Sequence, residues 1–95
     1  MEDDLKNIVS KTILSNKIKI VSLRTVVKTQ YKRVDFHYKI ECENSSTKRN
    51  LVFARIYKPL EHTLGSKLVY VDIVPIKFKK DEMPSTILSV SVMTD

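Results

Sequence analysis

Between Val34 and Glu43 the chain alternates without a break. Val34, Phe36, Tyr38, Ile40 and Cys42 are apolar, and Asp35, His37, Lys39, Glu41 and Glu43 are polar. Successive side chains of a strand point to opposite faces, so this stretch has one apolar face and one wet face. Such a strand belongs to an antiparallel sheet covered on one side only. It needs a covering layer, and the first sixteen residues offer one. Leu5, Ile8, Val9, Thr12 and Ile13 recur at the spacing of a single helix face, which predicts a helix over 3–15. Asp3 and Asp4 supply an N-cap and negative charge where the helix dipole favours it, and Asn16 suits a left-handed C-terminal position. A helix this short is marginal alone, so its apolar stripe has to lie on the sheet.

Further strands are expected over 17–28, 49–57, 67–76 and 86–93. Within the first of these, the alternation slips between Ile20 and Val21, through either a β-bulge or a change of burial. Leu51 to Tyr57 and Leu68 to Ile76 are β-branched and aromatic runs. Pro75 marks an edge or a strand end. Thr86 to Met93 would add one more strand after the charged turn Lys79-Lys80-Asp81-Glu82. Turn signals lie at Glu43-Asn44-Ser45-Ser46-Thr47 and between Pro59 and Gly65. The expected fold class is α+β: one N-terminal helix packed across an antiparallel four- to five-stranded sheet. A chain of 95 residues makes this a single domain, 1–95.

Composition excludes several kinds of chemistry. One cysteine, Cys42, makes neither an internal disulfide nor a cysteine-rich zinc site. One glycine and three prolines leave no glycine-rich phosphate loop and no proline-rich linker. No uncharged stretch approaches the roughly 18 residues that a membrane span needs. The start Met1-Glu2-Asp3-Asp4 is acidic, unlike a secretory signal, so a cytoplasmic protein without a membrane partner is expected. His37 and His62 are the only histidines, and His37 lies on the opposite face of the strand from Cys42. That geometry pairs no nucleophile with a base, so no enzyme activity, metal or cofactor is expected. Asn44-Ser45-Ser46 matches the glycosylation pattern and reads as a polar turn.

Seventeen Lys and Arg against eleven Asp and Glu give a formal charge of +6. Such a balance favours acidic partners, and it also keeps a small domain soluble. The segment Lys28-Thr29-Gln30-Tyr31-Lys32-Arg33 sets cations around an aromatic ring at a hairpin tip. It suits three readings: phosphate contacts with a base stacked on Tyr31, a grip on an acidic protein surface through Tyr31 and Arg33, or an ordinary solvated turn. A second basic group, Lys77-Phe78-Lys79-Lys80, is offset at once by Asp81 and Glu82.

Four segments follow one another in a familiar order. These are Asn7-Ile8-Val9-Ser10-Lys11, Val34-Asp35-Phe36-His37-Tyr38-Lys39-Ile40, Phe53-Ala54-Arg55-Ile56-Tyr57-Lys58-Pro59-Leu60 and Leu68-Val69-Tyr70-Val71. Over residues 5–82 they resemble the intracellular stefin branch of the cystatin superfamily. The resemblance implies a protein-binding module that reversibly inhibits papain-like cysteine proteases by wedging into the cleft. Its partner-binding residues would be Gln30, Tyr31, Lys32 and Arg33 of the first hairpin, with Leu60 and Glu61 of the second loop. The family's Q-x-V-x-G pattern keeps only its glutamine here, and Lys32 and Arg33 are bulky where glycine allows close backbone approach. Two other partners follow from the residues themselves. Nucleic acid suits the Lys28–Arg33 hairpin, and a second copy could pair with an edge near Pro75 or with Thr86–Met93 as a homodimer.

Overall fold

A computed structural model describes residues 2–76 and 85–94. The chain runs α1 (Glu2–Ser15), β1 (Ile20–Lys28), a 3-10 turn (Thr29–Tyr31), β2 (Arg33–Glu41), α2 (Ser46–Leu64), a second 3-10 turn (Gly65–Lys67), β3 (Leu68–Pro75) and β4 (Ser85–Met93). The strands form one antiparallel sheet in the order β1-β2-β4-β3, with the helices on one of its faces, so the fold is α+β. The turn at 79–82 and the basic group at 77–80 lie outside the described residues.

The apolar face of β2 organises the core. Val34, Phe36, Tyr38 and Ile40 are fully buried, and the first three stand opposite Val92, Val90 and Leu88 of β4. Each such side chain contributes about 1.5–3 kcal/mol by leaving water. Helix α1 lays Leu5, Val9 and Ile13 onto this surface. Its C-terminal left-handed residue is Lys17 (φ 65°) rather than Asn16, whose side-chain amide instead donates to the Thr12 carbonyl. Between Ile20 and Ser22 the β1–β2 register shifts by one residue, so the slip in alternation is a bulge. The bulge returns Leu23 to the core side and turns Ser22 and Arg24 outward beside Lys39 and His37.

The expected strand over 49–57 is instead part of α2. Val52, Ile56, Leu60 and Leu64 recur every four residues, and this stripe packs on the core. Ser45 caps the helix by accepting the Lys48 amide at 3.1 Å, and Gly65 (φ 57°) ends it. Burial of the stripe outweighs the weak strand preference of the β-branched and aromatic residues between 51 and 57. Pro59 sits inside the helix and offers no N–H to the preceding turn. The segment Phe53–Leu60, likened above to the stefin branch, is therefore helical.

Helix α2 carries the chain from β2 to β3, which run parallel with β4 between them, a split βαβ unit. Strand β4 is thus an inner strand, hydrogen-bonded on both sides, with Leu88, Val90 and Val92 fully buried. Thr86–Met93 therefore presents no free edge to a second copy. The sheet edges are β1 and β3, the latter ending at Pro75.

Candidate binding surface

With both helices on one side, the other face of the sheet meets solvent. Its side chains form rungs read from the register. One runs Val26–Asp35–Ser91–Tyr70, the next Arg24–His37–Ser89–Asp72, and the third Ser22–Lys39–Ile87–Val74. At one end Lys28 stands opposite Arg33 beside the β1–β2 tip. Arg24, Lys28, Arg33 and Lys39 thus share one face on two adjacent strands.

At the tip end a carboxylate is buried among these cations. Asp35 is 1% exposed, with Lys28 Nζ at 2.9 Å and Arg33 Nε at 3.3 Å. The Ser91 hydroxyl donates to it at 2.5 Å. Burial pushes the Asp35 carboxyl up, but the Ser91 hydroxyl and the Lys28 and Arg33 charges outweigh it and hold the group below its ordinary value. The Arg33 guanidinium lies 5.9 Å from the centre of the Tyr31 ring and 5.8 Å from that of Tyr70. One arginine therefore links the tip to the start of β3 through two cation–π contacts. Lys32 takes a left-handed conformation (φ 50°), which closes the turn through its amide on the Thr29 carbonyl.

The six residues expected to contact a partner divide into two places. Gln30, Tyr31 and Lys32 are exposed at the tip, and Arg33 beside them is half-buried. Leu60 is 0% exposed because it lies on the core stripe of α2, so it is a packing residue and not a surface contact. Glu61, one residue on, is exposed with Lys58 Nζ at 3.6 Å. Both lie within α2, so they do not form a second loop. Sequence reading passed over Arg24, Lys39 and Tyr70. The signal for Lys39 was its place on the wet face of the alternating strand, and for Arg24 the bulge that re-aims β1.

Three further polar or reactive side chains have partners close by. The His37 Nδ1 is 2.8 Å from the Ser89 hydroxyl, and the Cys42 thiol, buried, donates to the Glu43 carbonyl at 3.5 Å. Asn44 Oδ1 accepts from Arg49 at the start of α2. Among the described residues, no group of three or more His, Cys, Asp or Glu is placed to hold a metal ion. No helix among them is long and apolar enough to cross a membrane. Compared with models of known protein families and with curated proteins, the chain matches none.

Proposed function

We propose that this chain is a non-catalytic binding module that takes single-stranded nucleic acid across its uncovered sheet face. The supporting observation is the arrangement of Arg24, Lys28, Arg33 and Lys39 on one face of β1 and β2, with Tyr31 and Tyr70 around Arg33 at its end. Cations on a sheet track a phosphate backbone, and exposed rings stack unpaired bases whatever their identity. A flat sheet face suits splayed single strands, whereas a duplex groove admits a helix or a two-stranded ribbon.

The test is a fluorescence anisotropy titration of labelled oligothymidine. Binding is expected at a Kd of roughly 10⁻⁴ M or tighter, and to weaken steeply between about 50 mM and about 200 mM salt as the entropy gained by releasing counterions falls. Absence of binding at low salt, or an affinity indifferent to salt, would overturn the reading.

A second reading is favoured by the β1–β2 tip, where Tyr31 is 64% exposed between Lys28 and Arg33. On a cystatin-like scaffold, the tip from Gln30 to Arg33 would enter the cleft of a papain-like cysteine protease and block it without chemistry. A titration of papain activity with wild-type protein and with Tyr31→Ala/Lys32→Ala decides it. Inhibition by the wild type that the variant loses supports this reading, and full protease activity at saturating protein retires it.

A further inference from the structure

We infer that the depression between the Ser22–Lys39–Ile87 and Arg24–His37–Ser89 rungs is a phosphate seat, and that its occupant is a phosphodiester of the nucleic-acid backbone. This deepens the proposed function and rests on it. The depression has a volume of about 340 Å³ and opens widely on the uncovered face. A phosphate group and its nearest waters can enter it from solvent.

Charge decides what this seat accepts. Lys19 has Glu41 at 3.4 Å, and Lys28 and Arg33 share Asp35. Arg24 and Lys39 have no carboxylate partner among the described residues, although they line the same hollow. Two neighbouring cations without an anion repel each other, and an anion between them reverses the sign of that interaction. Of the acids nearest along the sheet, Asp35 holds Lys28 and Arg33 and Glu41 faces Lys19, while Asp72 stands on β3, separated from Arg24 by His37 and Ser89 along the rung.

The donors converge in a way that a scatter of surface lysines does not. Arg24 stands directly opposite His37, and Ser22 opposite Lys39. Directly opposed Cβ atoms lie about 4.5–5.5 Å apart and diagonal ones about 7–8 Å, so the long side chains of Arg24 and Lys39 reach one common oxygen cluster. The guanidinium offers a fork that matches two phosphate oxygens, and the ammonium adds a compact charge. His37 is oriented by Ser89 through Nδ1. When Ser89 donates there, Nε2 carries the proton and becomes a third donor. The Ser22 hydroxyl lines the same hollow, with Ile87 as an apolar wall.

A phosphate at this place also gives the sheet face a register. The seat lies one rung beyond Asp35 and its cations, so a strand held there runs from Lys39 and Arg24 toward Lys28, Arg33 and the two tyrosines. Phosphate contacts at one end would then position bases for stacking at the other.

The experiment combines oligothymidine titrations with amide chemical-shift mapping, using the wild type, Arg24→Gln/Lys39→Gln and Arg24→Lys. Oligothymidine is expected to shift the amides around residues 22–24, 37–39 and 87–89. The double variant should keep the wild-type thermal midpoint, bind about tenfold or more weakly, and lower the salt slope by about 0.7, the share of one phosphate on a single strand. Arg24→Lys should keep the slope and lose affinity, because charge remains while the fork is gone. Equal affinity of the wild type and the double variant would overturn the seat and leave the proposed function standing. Inorganic phosphate that shifts the same amides while oligothymidine does not bind would overturn the phosphodiester assignment together with that function. Shifts confined to the tip would also overturn the seat, again without touching the broader reading.

Discussion

Asp35 is a buried carboxylate on the face of the sheet that otherwise meets water, and it is tolerated because Lys28, Arg33 and Ser91 all serve it. Its folded-state pKa lies below the ordinary value of 3.8. A depressed carboxylate contributes stability that is present above the unfolded pKa and is lost as pH falls through the folded one. Wild-type stability should therefore decline on acidification below about pH 4, and Asp35→Asn should lack that share of the decline. At neutral pH the variant should be less stable by about 1–3 kcal/mol, measured by urea unfolding, because Lys28 and Arg33 lose their anionic partner. Freed from Asp35, the same two cations should bind oligothymidine more tightly with a steeper salt slope. Tyr38 behaves oppositely on the core side. Burial raises its hydroxyl to about 12, partly countered by the hydrogen bond with Ser10 at 2.7 Å. A raised pKa contributes stability present below the unfolded value of 10 and lost as pH rises from there toward 12. Tyr38→Phe should cost about 0.5–1.5 kcal/mol at neutral pH and flatten the alkaline limb of a stability–pH curve.

At the scale of elements, what the sequence disclosed depended on whether one period stood alone. The alternation of 34–43 and the stripe of Leu5, Val9 and Ile13 each had one reading, and both elements formed. In α2 two signals overlapped. Its β-branched and aromatic composition suggested a strand, while Val52, Ile56, Leu60 and Leu64 carried a helical period between Ser45 and Gly65. Pro59 strengthened the wrong choice, since an internal proline normally ends a helix. Of the surface, the tip was legible as a local cluster of charge, whereas Arg24 and Lys39 come together only through strand pairing across a bulge. Pairing between distant segments leaves no short-range mark. The tension at Pro59 has a measurable consequence. Pro59→Ala restores an N–H to the helix and relieves the clash with the turn before it, against a small loss of unfolded-state restriction. The thermal midpoint should rise, with a gain of about 2 kcal/mol in denaturant unfolding.

For the whole molecule, the question is whether binding follows net charge or the face on which charge sits. The helical layer is basic too, with Lys48 and Arg55 exposed on α2, so a charge of +6 by itself does not choose a side. Two double reversals separate the alternatives. Each replacement of a cation by glutamate changes the charge by two, so Arg24→Glu/Lys39→Glu and Lys48→Glu/Arg55→Glu both bring the formal charge from +6 to +2. Long-range attraction would weaken equally in both, and at a Debye length of about 8 Å in physiological salt that shared effect is small. Direct phosphate contact exists only on the uncovered face in the proposed arrangement. The sheet-face variant should therefore lose oligothymidine binding by more than tenfold at about 0.15 M salt, while the helix-face variant stays within a few-fold of the wild type. Equal losses would mean that the chain binds polyanions through its overall field, and a larger loss in the helix-face variant would move the binding surface to α2. Because all four positions lie away from the apolar core, unchanged thermal midpoints would tie the difference to the surface rather than to the fold.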